Sequence, residues 1–406
     1  MTRVFSQENL RALGHLVSPA LVEGERTVVH ILPLSGRIGH MALEPHAFFN
    51  LHHDTHDRLV VVSRNYQSVP YSLGVRDVVA QYVDFFETDN EELLEMGHHD
   101  GDNQDLGLFN LMIASAPMLF ARFIDMLAEP RSSINFELPS SLRTRAEPYF
   151  RSWGIGDGDK LVALHVRDQG THARMPEQTY RNADLETYEP LLRFLLAEGY
   201  WVVRLGGREG TDLPLRHDRL IDLSQLANYG DFLDVAVVDR ATFSVMSASG
   251  PEALSRVLGR PLLRVNMPFE PHIWLNDSDL VVPKTYLCSA RKRALSYQEL
   301  LFEGLACVNT ETGFVERGIE LRQNTSEELL ASGKEMVARL EGRRVSDPTC
   351  QGTFRSIGAE FNMAFRTWPR DRRLPGAERV SVYGLALPWT TVSEAYCDIN
   401  PQFLSR

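Results

Sequence analysis

The sequence lacks any run of about 18 apolar residues, which is the length that a membrane-spanning helix needs. Cysteine is scarce, with 4 in 406 residues, and these cysteines are far apart without a CxxC pair. Buried thiols are therefore expected rather than a disulfide framework or a zinc site. Positive charge is in deficit, since the formal net charge is -12 and the pI is about 5.6. Because binding to phosphate backbones needs a basic face, a nucleic acid partner is not expected.

Several sequence signatures are also missing. Residues 1–21 lack the charged start, apolar stretch and small-residue cleavage site of a signal peptide, so a cytoplasmic protein is expected. There is no P-loop, no G-x-S-x-G elbow and no G-x-G-x-x-G after the first apolar segment. What remains is ordinary for a globular protein, with 43% hydrophobic and 24% charged residues. The length of 406 residues predicts two or three domains at roughly 150 residues each.

Short apolar segments alternate with helical patterns, which predicts parallel sheets. The expected strands are residues 27–33, 58–63, 161–166, 201–205, 220–223, 242–246 and 262–265. The expected helices are residues 41–50, 77–86, 104–128, 185–198, 232–241, 251–258 and Ser326–Leu340, the last with Ser326 as N-cap.

A stretch rich in proline, glycine and charge at residues 130–159 divides the alternation into two halves. Two halves of this kind imply an α/β protein with two Rossmann-like domains, over residues 1–150 and 151–345. A C-terminal segment, residues 346–406, is expected to cross back toward the first domain.

The strand at residues 161–166 delivers polar residues to its carboxyl end. Ligands bind outside the carboxyl ends of the strands in open parallel sheets. His165 and Arg167 alternate along the strand and therefore face the same side. Arg167 can hold a phosphate with two hydrogen bonds, or it can form an ordinary ion pair with Asp168. Downstream, Arg181 either reaches the same pocket or anchors its loop, and Arg204 and Gly206 follow the next strand and can line the same cleft.

A second candidate site follows the strand at residues 242–246. Ser247, Ser249 and Gly250 form a turn, and Pro251 stands at the first helical position. Such a turn offers free backbone N–H groups and hydroxyl donors to a phosphate. Glu252 in the first turn of the helix either caps it or accepts hydrogen bonds from a ribose or sugar hydroxyl. The pattern fits a phosphate site, although helix capping alone also explains it.

A candidate base follows the first strand. Gly36 and Gly39 make a tight turn, and His40 stands at the start of a helix with Glu44 one turn later on the same face. Histidine titrates near neutrality, so His40 suits general-base work on a hydroxyl. Glu44 either orients His40 or is the base itself, and an ordinary loop histidine beside a helix carboxylate is the alternative.

Three acidic or histidine-rich clusters raise the question of metal binding. They are residues 52–56, residues 98–102 and the Asp277-Ser278-Asp279 sequence. Their spacing matches no standard zinc helix, and the last does not follow a clean buried strand. Solvated turns and a loop are expected, so no metal ligand is assigned.

The motifs together resemble a known family. The segments HVRDQG, DLSQL, FSVMSASGPEALSRVLGRPLLRVN and NTSEELLASGKEMVARL are similar to those of a little-characterised bacterial family of glycosyltransferase-like proteins of comparable length. The resemblance is strongest from Lys160 to Leu340. It implies the GT-B fold, in which two Rossmann-like domains face each other across a cleft.

Three shorter likenesses point to the same class. His165-x-Arg167 resembles the motif with which fucosyltransferases hold the pyrophosphate of a nucleotide sugar. The turn from Ser247 to Glu252 resembles the donor site of heptosyltransferase-like enzymes, and His40 after Gly39 is similar to the early histidine base of inverting GT-B enzymes. Fucosyltransferases usually carry a second arginine where Asp168 stands, which argues against a GDP-fucose donor.

The resemblance implies a glycosyltransferase of hexosyl or deoxyhexosyl type. The donor would be a nucleotide sugar, and the acceptor a hydroxyl or amine of a glycan or natural product. No cofactor and no catalytic metal are expected, because GT-B enzymes hold the leaving group with protein donors. Two other functions stay open: a sugar-nucleotide epimerase or hydrolase on the same fold, and a non-catalytic protein that binds nucleotide sugars.

Overall fold

The first sheet is formed by the N-terminal part of the chain. The computed structural model describes residues 3–129, 132–168, 175–206, 211–344, 346–365, 367 and 382–406. The strands of this sheet are β1 (Thr27–Leu32), β2 (Arg58–Arg64), β3 (Asp84–Thr88), β4 (Gln104–Asp105) and β5 (Asn110–Met112). Their order is β3-β2-β1-β5-β4, parallel except that β4 runs antiparallel to β5. The helices of this part are α1 (Gln7–Val17), α2 (Ile38–His52), α3 (Leu73–Val79), α4 (Glu91–Glu95) and α5 (Ala116–Ala128).

The second sheet has the strand order of the doubly wound dinucleotide-binding fold. Its strands are β6 (Leu161–His165), β7 (Trp201–Arg204), β8 (Leu220–Asp222), β9 (Phe243–Ser247), β10 (Leu262–Met267) and β11 (Leu280–Pro283). The order is β11-β10-β9-β6-β7-β8 with parallel pairing throughout, so the winding reverses between β6 and β9. The helices here are α6 (Ser140–Trp153), α7 (Glu189–Ala197), α8 (Phe232–Arg240) and α9 (Glu252–Val257).

The C-terminal part adds a small antiparallel sheet and helices. The strands are β12 (Thr285–Cys288), β13 (Arg293–Ala294) and β14 (Ile319–Arg322), in the order β13-β12-β14. The helices are α10 (Tyr297–Phe302), α11 (Glu311–Glu316), α12 (Ser326–Leu340), α13 (Pro348–Phe365) and α14 (Glu394–Ile399). In the ranges given above, no helix combines the length and the apolar character that crossing a membrane requires.

A hydrophobic layer between the two sheets joins the halves of the chain. Val28 and Val61 of the first sheet and Ala163 and Val203 of the second belong to one buried cluster. Within this layer α2 packs against α9 and α3 packs against α8. Because side chains alternate along a strand, the opposite faces of the sheets bury other residues against other helices. The shared layer fixes the edges of the two sheets relative to each other.

Two predicted helices in the first half are partly wrong. Residues 84–86 belong to β3, and the start of the segment 104–128 forms β4 and β5 instead of a helix. Phe85 packs against the layer between the sheets, whereas Phe86 packs against the cluster on the other face. Burial of neighbouring residues on opposite faces needs a strand, and pairing with β2 overrides the local helical spacing.

Two other expectations need correction in detail. The stretch between the sheets is not an open linker, because it contains α6, which ends at Gly154 with a φ of 85°. The N-cap of α12 is Thr325 rather than Ser326, and Thr325 forms a capping box with Glu328. In the described part of the C-terminal segment, α13 contacts α10 and α14 contacts α12 in the second half, and Leu387 lies in the hydrophobic layer shared with the first half.

Candidate functional site

A cleft with a volume of about 820 Å³ lies between the carboxyl ends of the two sheets. His40 at the start of α2 and Ala116 at the start of α5 line it from the first half. From the second half, Arg167 follows β6 and Gly250 follows β9, which are the two strands at which the winding reverses. In open α/β sheets this is the position where ligands bind. The first sheet, which is parallel apart from β4, and the doubly wound second sheet face one cleft, and this confirms the predicted fold class, a GT-B-like α/β protein.

Glu44 holds His40 in place, which is one of the two roles that the sequence left open for Glu44. His40 Nδ1 lies 2.6 Å from Glu44 Oε1, and Glu44 Oε2 lies 3.2 Å from His30 Nε2. Burial would raise the pKa of Glu44, but hydrogen bonds with His30 and His40 outweigh burial and lower it to about 2. Glu44 is therefore ionised at neutral pH. Because an ionised carboxylate only accepts hydrogen bonds, Nδ1 of His40 donates to it, and in the neutral imidazole Nε2 is then the nitrogen that can accept a proton.

The two halves of the cleft touch at a pair of glycines. A Cβ on Gly250 would lie 3.2 Å from the Gly39 nitrogen and 3.4 Å from the Ile38 Cβ. Side chains at this contact would push the turn after β9 away from the start of α2. The absence of side chains brings His40 next to the Ser249–Gly250 turn.

Arg167 is fixed at the end of β6 by both its backbone and its side chain. Its backbone N–H donates to Ser247 Oγ at 2.7 Å, and its Nε donates to Asn182 Oδ1 at 3.0 Å. Lys284 Nζ in turn donates to the Asn182 carbonyl at 2.6 Å. Arg167 is 4% exposed, and its Nη2 has no acceptor among the described residues. Burial and the nearby charge of Arg181 lower the pKa of Arg167 to about 10, so it stays charged at neutral pH.

Arg181 reaches the same cleft as Arg167. Its Nε donates to the Ala248 carbonyl at 3.0 Å and its Nη1 to Gln178 Oε1 at 3.1 Å. Over the described ranges, no carboxylate lies within 4.0 Å of either guanidinium group. The sequence left open an ion pair between Arg167 and Asp168. Within the described ranges this pair does not form, and Asp168 accepts a hydrogen bond from Arg204 instead. Two adjacent cations without a counter-ion favour an anionic ligand.

The turn after β9 contributes further donors. Ser249 and Gly250 line the cleft, and in the described part of the chain neither their backbone N–H groups nor Ser249 Oγ enters a hydrogen bond. Ser247 does not take part directly, because it is fully buried and accepts from the Arg167 backbone. The helix that follows, α9, is six residues long and therefore adds only a weak dipole.

Two of the expected donor-binding residues have other partners. Arg204 pairs with Asp168 and Asp222 at 3.3 and 3.2 Å, and it does not line the cleft. Glu252 lines the cleft, but both of its oxygens bind Arg264. Buried arginines need an acceptor, and these nonlocal ion pairs supply one. His165 and Gly206 do line the cleft, as expected.

Sequence reasoning missed His30, Arg256 and Asp234, which lie at the cleft lining or directly behind it. His30 supports Glu44 from β1, and Arg256 and Asp234 line the cleft from α9 and α8. Burial raises the pKa of Asp234 to about 6, although Tyr229 Oη and the Gly206 N–H donate to it at 2.6 and 3.3 Å. His30 is a polar residue inside the apolar strand TVVHIL, and this was the available signal. Asp234 and Arg256 occupy ordinary helical positions, so no comparable sequence pattern marks them as cleft residues.

Within the described residues, the sequence clusters that were considered as metal sites do not form a set of metal ligands. Asp279 is buried and accepts from the backbone N–H groups of Leu262 and Asn276, whereas Asp277 is exposed. No group of three histidine, cysteine or acidic side chains within the described residues could hold a metal ion. Residues Gln169 and Gly170 of the HVRDQG segment lie outside the described residues.

Comparisons with known proteins give distant structural likenesses. No family model matches the chain, and no curated protein matches it. Among solved structures, the Escherichia coli ADP-heptose LPS heptosyltransferase II aligns at 13% identity and a TM-score of 0.44, over 65% of this chain and 91% of that one. A family 9 glycosyltransferase from Veillonella parvula aligns at 13% identity and 0.45, over 65% and 87%. E. coli heptosyltransferase WaaC with ADP aligns at 14% and 0.32, over 64% and 91%. At these values the alignments carry no argument about chemistry.

Proposed function

We propose that this protein is a glycosyltransferase that moves a hexosyl or deoxyhexosyl group from a nucleotide sugar to an acceptor hydroxyl or amine. The observation that carries the proposal is the Gly39–Gly250 contact. It places a histidine held by an ionised carboxylate beside a turn with free N–H groups and beside two arginines without carboxylate partners. A proton acceptor thus faces an anion site across one cleft.

The second half of the cleft would bind the donor. Arg167 and Arg181 supply fixed positive charge, and the Ser249 and Gly250 N–H groups supply donors for phosphate oxygens. A pyrophosphate carries charges on two linked phosphates, which matches two adjacent guanidinium groups. When the bond between the anomeric carbon and the pyrophosphate oxygen breaks, the negative charge stays on the leaving nucleoside diphosphate. The arginines stabilise that charge in a site shielded from water.

The first half would activate the acceptor. His40 Nε2 takes the proton from the acceptor hydroxyl or amine as its oxygen or nitrogen attacks the anomeric carbon. Glu44 stabilises the imidazolium that forms, since it is ionised and bound to Nδ1. Glu44 itself is too weak a base for this step, because a carboxylate with a pKa of about 2 holds a proton poorly at neutral pH.

Replacement of His40 tests this assignment. The His40→Ala variant is expected to lose roughly 10²- to 10⁴-fold in kcat, which is the usual contribution of a general base. Donor affinity should stay within about twofold, because the substitution leaves in place the arginines and the turn after β9 that would bind the donor. The matched control is His53→Ala at the other end of α2, where turnover should be unchanged.

Full activity of His40→Ala would remove His40 as the base. Release of free sugar by the wild-type protein at the same rate with and without acceptors would make it a hydrolase instead of a transferase. Both results can be read from one chromatographic assay of sugar products.

A further inference from the structure

A buried arginine on α9, Arg256, lines the cleft in addition to the Arg167–Arg181 pair. Its guanidinium carbon lies 3.8 Å from the centre of the Trp274 ring, and the side chain is 4% exposed. Trp274 also lines the cleft. Trp274 in turn packs edge-on against Phe123 and lies beside Phe120 of α5.

The hydrogen-bonding capacity of Arg256 is unused. Its Nε and Nη2 have no acceptor among the described residues. These two nitrogens form one edge of the guanidinium plane, the edge that donates two parallel hydrogen bonds to a carboxylate or phosphate. Buried N–H groups without an acceptor cost free energy, because water is excluded and nothing replaces it. An anion that enters the cleft would supply both acceptors.

The carboxylate nearest to Arg256 engages it only weakly. Glu252 is the nearest carboxylate, with its Oε1 at 3.8 Å from Arg256 Nη1. The same carboxylate is held by Arg264, whose Nη2 donates to Oε1 at 2.9 Å and whose Nε donates to Oε2. Glu252 therefore bonds to Arg264 rather than to Arg256. Asp279 and Glu270 also act on Arg256 through their charge, but over the described residues neither lies within 4.0 Å of its guanidinium group.

We infer that Arg256 and Trp274 form a second anion subsite, which takes a carboxylate or phosphate group of a substrate. This inference rests on the proposed function, since it adds a substrate feature to the same cleft. The anionic group belongs either to the acceptor or to the transferred sugar, as in a uronic acid. In both cases the anion accepts two hydrogen bonds from the Nε–Nη2 edge while the Trp274 ring covers the face of the guanidinium.

The test uses inorganic phosphate as the probe, measured by calorimetry on the full chain with a saturating nucleoside diphosphate that blocks the first site. Wild-type protein should bind phosphate, and Arg256→Met should weaken that binding at least tenfold. Arg260→Met is the matched control, because Arg260 pairs with Asp239 and does not line the cleft. It should bind phosphate like the wild type. Unchanged phosphate affinity in Arg256→Met, or no phosphate binding in the wild type, would overturn the inference.

A second comparison separates the two sources of the anion. The affinities of a nucleotide-linked uronic acid and of the corresponding neutral hexose are measured with wild type and Arg256→Met. A tenfold preference for the uronic acid that the variant loses assigns the anion to the donor sugar. Equal affinities together with phosphate binding assign it to the acceptor.

The same experiments keep this inference separate from the proposed function. Arg256→Met should bind the nucleoside diphosphate as the wild type does, because Arg167 and Arg181 remain. If no nucleoside diphosphate binds to the wild type, the proposed function fails. Phosphate binding is then compared between an Arg167→Met/Arg181→Met variant and the same variant with Arg256→Met added. The added change should weaken binding at least tenfold, and equal binding by the two would overturn the subsite as well. A thermal unfolding curve like that of the wild type shows that Arg256→Met is folded.

Discussion

Glu44→Gln tests the buried histidine–carboxylate–histidine arrangement. Glu44 is fully buried, and its pKa falls from 4.5 to about 2 in the folded protein. A difference of one in pKa corresponds to about 1.4 kcal/mol, so this lower pKa corresponds to roughly 3 kcal/mol of stability from the ionised form. Since the folded-state pKa is depressed, this contribution is fully present above about pH 4.5. It is lost as the pH falls toward 2.

The neutral amide of Glu44→Gln offers one acceptor oxygen where the carboxylate serves both His30 and His40. The variant should therefore be less stable than the wild type by up to about 3 kcal/mol at pH 7, and the difference should shrink as the pH falls below 4.5. Urea unfolding followed by tryptophan fluorescence at pH 7 and pH 3.5 measures it. Glu8→Gln at an exposed position of α1 is the control, with little effect expected at either pH.

A difference between wild type and Glu44→Gln that is close to zero, or that is the same at both pH values, would refute the reasoning. In the proposed reaction the variant should also lose roughly 10²-fold or more in kcat, because the partner of His40 Nδ1 is no longer ionised. Donor affinity should not change.

Three further predictions follow from other groups in the cleft. Asp234→Asn should raise stability by up to about 3 kcal/mol at pH 8, because the raised pKa of Asp234 makes its ionisation costly in the folded protein. The gain should vanish in urea unfolding at pH 4, and a gain that is equal at both pH values would contradict the prediction. Gly250→Ala should lower kcat roughly tenfold by pushing Gly39 and His40 away, whereas Gly158→Ala, which meets open space, should not. EDTA should leave turnover unchanged. A loss of turnover that Mn²⁺ restores would indicate a metal-dependent reaction that involves Asp277.

Many of the cleft-lining residues could be predicted from the sequence, because they lie at the carboxyl ends of strands. His165, Arg167, Ser249 and Gly250 follow apolar segments that read clearly as strands, and parallel sheets gather such ends at one edge. His40 could be placed by the same reasoning on the first sheet. These predictions need only the order of elements along the chain.

Residues whose role depends on nonlocal partners could not be predicted. Glu252 and Arg264 are twelve positions apart, and only the packing of α9 on β10 brings them together. Arg204 was expected in the cleft, but Asp168 and Asp222 hold it elsewhere. Arg256 stands at a helical position that gives no signal until its neighbours are known.

The helices predicted over β3 to β5 failed for a related reason. Short strands with neighbouring apolar residues contain too few positions to show a period of two. The spacing of Phe85 and Phe86 fits either structure, and the pairing of β3 with β2 decides between them.

The most direct test of the central claim is the affinity of Arg167→Met for a nucleoside diphosphate, measured by calorimetry after a thermal-shift screen has found the preferred base. A charge-assisted contact of about 1.5–3 kcal/mol predicts a loss of roughly 10- to 100-fold. The nucleoside monophosphate should lose less, because it lacks the second phosphate. If Arg167→Met binds the nucleoside diphosphate as tightly as the wild type, the cleft does not hold a pyrophosphate in the way proposed here.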